Sequence, residues 1–252
     1  MNRRNVLLAL CALGCGFSAH ADVYDVTLES YGAGKRQLVS ANGSYTWDES
    51  TGAEQFYNVR ANEHIWLESD GSMAQPIITH CVEIYQSVVL GDDYMFDVTS
   101  IEDVPQRPGW PSEMGAVRAE LVSDLYANYI SPYTGGVYEL GLGSIDDYGA
   151  AFQIMLWEIT HENFSAETAS GMAAQISFDM GAIQSQADES VQLVLDDMFA
   201  TLNDGFFEVV DLEGWTNPDA QDQSRLVLIP GAGTLATLAL GVPLTRRRRR
   251  RA

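Results

Sequence analysis

Two side chains in this sequence have the chemistry to react with each other. The first is Gln153, in the middle of Gly149 to Glu158, read as Gly-Ala-Ala-Phe-Gln-Ile-Met-Leu-Trp-Glu. That stretch predicts a short, very apolar helix. On a helix the neighbours of a residue lie three and four positions away, here Gly149, Ala150, Leu156 and Trp157. Only the Trp157 indole N–H could partner the amide. A primary amide buried without a partner costs a few kcal/mol. The second side chain is Cys81, set in the apolar run Pro76 to Leu90. A thiol that attacks the Gln153 carbonyl and expels ammonia forms an internal thioester. Such a bond stores acyl-transfer reactivity, which an amine or hydroxyl can discharge once. Cys81 and Gln153 are therefore the candidate reactive pair, although residue chemistry by itself favours an unreacted pair. The alternative is an inert buried thiol and an amide satisfied by backbone.

Other residues near the pair are candidates for support. His80 and Glu83 flank Cys81, Trp157 lies one helical turn after Gln153, and His161 follows at about 12 Å along a helix. Adjacent strand residues face opposite ways, so His80 is expected to point away from the thiol. Each histidine reads as structural or exposed. Glu158 is expected to be a helix-surface charge rather than a local acid. A Cys/His hydrolase, with Cys81 as nucleophile and His64 or His161 as base, is a second class of function. A cell-surface or matrix protein with the pair unreacted is a third. Asp92-Asp93 and Asp196-Asp197 lack the spacing of a calcium loop. No metal or cofactor is expected.

Charge narrows the partners. The formal net charge is −21, but Arg3, Arg4 and Arg246 to Arg251 lie at the ends. Between them, residues 22–245 hold six basic against 35 acidic residues, a balance of −29. A body that acidic repels phosphate backbones, so nucleic-acid binding is not expected.

The ends read as targeting segments. Residues 1–21 have the form of a signal peptide: a charged start, apolar Val6 to Leu13, and the small-x-small site Ala19-His20-Ala21. Lipoprotein processing at Cys15 is the alternative. Cleavage before Asp22 removes Cys11 and Cys15 and leaves Cys81 alone in an oxidising compartment. Residues 230–252 run from a Pro-Gly breaker through apolar Thr234 to Leu244 to the arginine cluster. Eleven apolar residues span about 16 Å as a helix, short of the roughly 30 Å hydrocarbon core. The tail is thus expected to be a sorting signal that is removed, with a weak anchor as the alternative.

Residues 22–229 read as one α+β domain, β-rich and sandwich-like, with two or three helices. The Gln-bearing helix is expected near the Cys-bearing strand. Val23 to Glu29, Arg36 to Ala41, Ser44 to Asp48, Phe56 to Arg60, His64 to Glu68, Pro76 to Leu90 and Tyr94 to Ile101 read as strands, with a hairpin turn at Asn42-Gly43. Ser112 is expected to cap a helix to about Ile130. Val117, Leu121, Leu125 and Tyr129 form its apolar stripe. Ser144 and Asp147 form a capping box for the Gln153 helix. Met172 to Met180 alternates like a strand, with helix as the alternative because of its alanines. Ser185 to Leu202 reads as an amphipathic helix, and Phe206 to Leu212 and Arg225 to Ile229 as strands.

The tail resembles a PEP-CTERM sorting signal, with Pro230-Gly231-Ala232 in place of Pro-Glu-Pro. That resemblance implies exosortase-type sorting machinery as a partner, transient contact with the inner membrane, and export to the surface of a Gram-negative bacterium. The body resembles bacterial thioester domains. The matching pieces are His80-Cys81-Val82-Glu83 and Phe152-Gln153-Ile154-Met155-Leu156-Trp157. Val117 to Tyr129 and Gln221-Asp222-Gln223 also fit. Phe152, Met155 and His80 depart from the residues that family often carries there. The resemblance implies a Cys81–Gln153 thioester and single-turnover covalent attachment to a surface or matrix amine or hydroxyl.

Overall fold

A computed structural model describes residues 23–41, 56–71, 75–105 and 113–228. The segments read as signal peptide and sorting tail, the Asn42-Gly43 turn, Ser44 to Asp48 and the Ser112 cap lie outside the described residues. Seven strands are described: β1 (Val23–Ala41), β2 (Tyr57–Glu68), β3 (Ile77–Cys81), β4 (Asp93–Ser100), β5 (Ile183–Gln186), β6 (Leu212–Thr216) and β7 (Gln223–Leu226). Four α-helices accompany them: α1 (Gly115–Tyr129), α2 (Ile145–His161), α3 (Ala169–Ala173) and α4 (Glu189–Leu202). The α+β, β-rich class holds, with one more helix than expected.

The strands form one antiparallel sheet in the order β2-β3-β7-β6-β4-β1-β5, and β2 also pairs with β1. Six strands thereby close into a ring, which leaves no free edge among them. The length of β1 makes this closure feasible. Its start, Val23 to Thr27, pairs with β4, and its end, Leu38 to Ala41, pairs with β5. Val26 to Val39 pairs with β2. Two register shifts, between Leu28 and Ser30 and between Tyr31 and Gly34, let the strand bend between partners. The two strands expected at Val23 to Glu29 and Arg36 to Ala41 are thus one, joined through these irregularities. Likewise Phe56 to Arg60 and His64 to Glu68 are both in β2.

Large apolar side chains fill one core cluster on the ring: Val26, Leu28, Trp66, Phe96 and Trp215. The Trp66 and Phe96 rings meet edge-on at 5.3 Å. A larger core joins the sheet to the helices, with Leu121, Leu125, Ile154 and Leu195 fully buried. Helix α2 runs through it, packed against β1, β2, α1 and α4. From Asp147 to His161 every residue of α2 is buried. A helix that is apolar all round belongs in such a place.

Four expectations need correction. Met172 to Met180 is no strand: Thr168 caps α3 by accepting from Gly171 N–H, and turns follow. Only Met172 and Ala173 of that stretch are helical, in line with the alternative that its alanines left open. Next, Ser185 belongs to β5, and the helix starts only at Glu189. Finally, Phe206 to Asp211 forms no ladder, and β6 begins at Leu212. Phe206 and Val209 are exposed there, while Phe207 and Val210 pack against the main core. The long β-rich run also contracts: β3 ends at Cys81, and Val82 to Leu90 proceeds by turns.

Candidate functional site

Strand β3 brings Cys81 to the end of its ladder, and that position explains what Gln153 does. In an antiparallel pair, alternate residues turn their N–H and C=O toward one neighbour. Cys81 is opposite Gln223 in β7, and the next residue, Val82, donates its N–H to Asp222 O at 3.0 Å. Cys81 therefore turns its own N–H and C=O the other way, toward β2. The β2–β3 pairing, however, stops at His64 and Thr79. The Gln153 side chain fills the place of the missing strand residue. Its Oε1 accepts from Cys81 N at 3.1 Å, and its Nε2 donates to Cys81 O at 2.5 Å. Residues 72 positions apart are joined by two hydrogen bonds in a fully buried setting.

Helix α2 reaches this point because its first turns are fixed. Ser144 and Asp147 form the expected capping box. Asp147 also pairs with Lys35 of β1 and accepts from Ser190 Oγ at 2.7 Å. Burial alone would raise the Asp147 carboxyl, but Lys35, Ser144 and Ser190 hold it well below the usual carboxylate range. Gly149 lies directly on β1. A Cβ built there would stand 2.4 Å from Ala33 C and O, so only glycine permits this approach.

The thiol is buried, and Cys81 is 1% exposed. Its Sγ donates to Glu83 O. Burial pushes the thiol well up from its ordinary value; the Trp157 indole and the Glu83 carbonyl pull back, and the charges of Glu83 and Asp222 push further up. The resting thiol is neutral. A thiol attacks a carbonyl as thiolate, so Cys81 must give up its proton in a thioester-forming step just as in a hydrolytic one. Glu83 thus touches the pair through its main chain, and Gln221 Nε2 donates to the same carbonyl at 2.8 Å. Gln221-Asp222-Gln223 lies along β3 and braces it. Only the resemblance had pointed to that segment.

His80 does face away from the thiol. It packs on Phe152 at 4.5 Å and on Tyr126, whose hydroxyl lies 3.1 Å from its Nδ1. Its Nε2 lies 3.8 Å from Glu63. Burial would raise the Glu63 carboxyl, but His80 and the N–H groups of Val137 and Ala33 outweigh it and lower it. His80 therefore ties β3 to α1 and α2. His161 is one turn beyond Trp157, with Nδ1 2.8 Å from Thr160 Oγ1 and its ring against Tyr85. All three described histidines, His64 included, are buried, so none is exposed. Glu158 is no surface charge: it is 0% exposed, with Oε1 accepting from Ser177 N at 3.1 Å. The apolar surround keeps its carboxyl well above the usual range.

His64, read in the sequence only as a candidate hydrolase base, has a partner that the sequence did not show. His64 Nδ1 lies 2.8 Å from Gln223 Oε1, which also accepts from Thr79 Oγ1 at 2.9 Å. Gln223 Nε2 donates to Gln221 O, which fixes the amide orientation. An amide oxygen only accepts, so His64 carries its proton on Nδ1 and keeps Nε2 basic. An open cleft of about 340 Å³ runs beside Trp157, with Tyr31, Arg60, His64, Tyr85 and Gln221 among its walls. Among the described residues no group of three or more His, Cys, Asp or Glu is arranged to hold a metal ion. None of the described helices is long and apolar enough to cross a membrane. Comparison of the chain with family models, curated proteins and solved structures finds no match.

Proposed function

We propose that this chain is an exported cell-surface protein in which Cys81 and Gln153 condense to a thioester for single-turnover covalent attachment to an amine or hydroxyl target. The observation that carries this reading is the two-point hold of Cys81 on the Gln153 amide. It sets the thiol's own residue against the acyl carbon it must attack. The Cys81 N–H on Oε1 also stabilises the charge that develops there in a tetrahedral intermediate. The Cys81 Sγ bonds to Gln153 Cδ, the Cδ–Nε2 bond breaks, and the thiol proton leaves with the nitrogen as ammonia. A target nucleophile then takes the acyl group and Cys81 regains its proton. Burial of both groups supports persistence of the bond, because water is kept away.

Export, exosortase-type sorting and transient contact with the inner membrane belong to the same proposal. They rest on the residue pattern of the two ends. The second reading is a structural surface protein with the pair unreacted. It is favoured by one observation: amide and thiol already have hydrogen-bond partners without reacting.

Intact mass decides between them. Protein purified without nucleophiles is expected to be about 17 Da light, the mass of ammonia, and methylamine is expected to add about 31 Da and free one thiol. A full mass with one titratable thiol rejects the thioester.

A further inference from the structure

We propose that the cleft beside Trp157 is the acceptor site, that it takes a saccharide hydroxyl, and that His64 is the general base for the attack. The inference rests on the thioester reading. The cleft adjoins the reactive pair in two ways. Trp157 forms part of its wall and lies one turn after Gln153 on α2. Gln221 forms another part and donates to the Glu83 carbonyl that accepts the thiol proton. Its volume of about 340 Å³ falls within the range of ligand pockets, roughly 300–1,000 Å³.

The walls select the class of acceptor. Tyr85 and Trp157 offer flat rings on which a sugar face can lie, Tyr31 adds an aromatic wall with one face under Arg60, and Gln221 offers neutral hydrogen bonding. Among the described residues lining the cleft none is a carboxylate, although the body carries −29. The one formal charge is Arg60, stacked 4.4 Å over the Tyr31 ring. An ammonium group meets a cation there and no counter-ion. A neutral or anionic sugar meets neither problem.

A hydroxyl, unlike a free amine, needs a base to attack a thioester at useful rates. His64 is the imidazole in this cleft, and the Gln223 amide fixes its tautomer with Nε2 basic. In the step, the sugar oxygen bonds to Gln153 Cδ while Nε2 takes its proton. The Cδ–Sγ bond then breaks, and the imidazolium returns the proton to the Cys81 sulfur. The products are an ester and a thiol. Burial holds His64 down, to about 4; the Gln223 bond opposes this, and the charges of His80 and Arg60 add to it. The Tyr31 ring at 5.7 Å and the Trp66 ring at 5.9 Å also face it. The base therefore stays unprotonated down to about that pH.

The test uses the full chain and two probes, glycerol and methylamine, with intact mass and thiol release as readouts. Wild-type thioester should be opened by glycerol down to near pH 4. In His64→Gln the ratio of the glycerol to the methylamine rate should fall by about 10² or more, the usual worth of a general base. Equal loss on both probes, or no loss on either, overturns the proposal. So does a His64→Gln protein that never loses ammonia, because His64 would then act in bond formation. Cys81→Ala separates this failure from failure of the thioester itself. It cannot form the bond, but methyl glucoside should still quench Trp157 fluorescence, and Tyr31→Ala should raise the concentration needed about tenfold. No quenching in Cys81→Ala overturns the acceptor site whatever the mass of the wild type.

Discussion

At the scale of single residues, the Gln153 amide does what a strand residue would otherwise do. Cys81 has an N–H and a C=O turned toward a strand that has left, and Gln153 supplies an acceptor and a donor. Gln153→Ala would strand both groups in a dry interior, at about 1–3 kcal/mol each. We expect that variant to lose several degrees in Tm by calorimetry and to show no mass deficit. Cys81→Ala keeps the backbone pair, so its Tm should fall less while its mass deficit also vanishes. Any Cys81 that stays unreacted should resist iodoacetamide at pH 8 until the protein is unfolded, because burial keeps the thiol neutral. Fast labelling of native protein would place the thiol in water. The oddity of Gln153 was readable without a structure, since the Trp157 indole was the one neighbour within its own helix able to bond it. The identity of the partner was not readable from helix geometry, because backbone groups look alike in every sequence. His64 and Gln223 lie 159 positions apart and carried no shared signal.

At the scale of elements, the placement of α2 is the variable on which the site depends. The capping box fixes where the helix begins, and the Lys35–Asp147 pair fixes it to β1. Gly149, one turn before Gln153, sets how close helix and strand can come. Gly149→Ala puts a methyl group into the Ala33 backbone, which cannot rotate away. Overpacking of this kind costs typically 1–3 kcal/mol. The helix must lift, and a shift of even an ångström separates Gln153 from Cys81. The expected result is a lower Tm together with a partial or absent mass deficit. A Gly149→Ala protein with full deficit and native Tm would show that the approach has slack. The box was legible because capping is local, four residues that bond to one another. Elements decided by distant partners were not. Met172 to Met180 alternates as a strand should, yet it has no strand to pair with and is turns after Ala173, whereas Ile183–Gln186 is a strand because the end of β1 is there to pair with it.

At the scale of the whole molecule, the closure of six strands into a ring was invisible in the sequence, because β1 pairs with three strands at different points along its length. Composition did show a large core, and that core sets how stability depends on pH. His64 and His161 are buried and both pushed down to about 4, in each case mainly by loss of water. Between pH 6.5 and 4 the unfolded chain takes up protons that the folded chain refuses, so stability falls on acidification, by at most about 3 kcal/mol per histidine. Glu158 works in the opposite sense. Its carboxyl is raised by burial, so above the unfolded carboxylate range the folded chain holds a proton that the unfolded chain releases, and stability falls as pH rises. Replacing it by Gln keeps the oxygen that accepts from Ser177 and removes the titration. The Tm of Glu158→Gln should therefore gain on wild type as pH rises from 4.5 to 9, measured by circular dichroism in steps across that range. Its fall on the acid side should be steeper, since the histidines act there without the opposing carboxyl. A Tm difference between the two proteins that is the same at every pH would mean that Glu158 ionises as freely as it does in water.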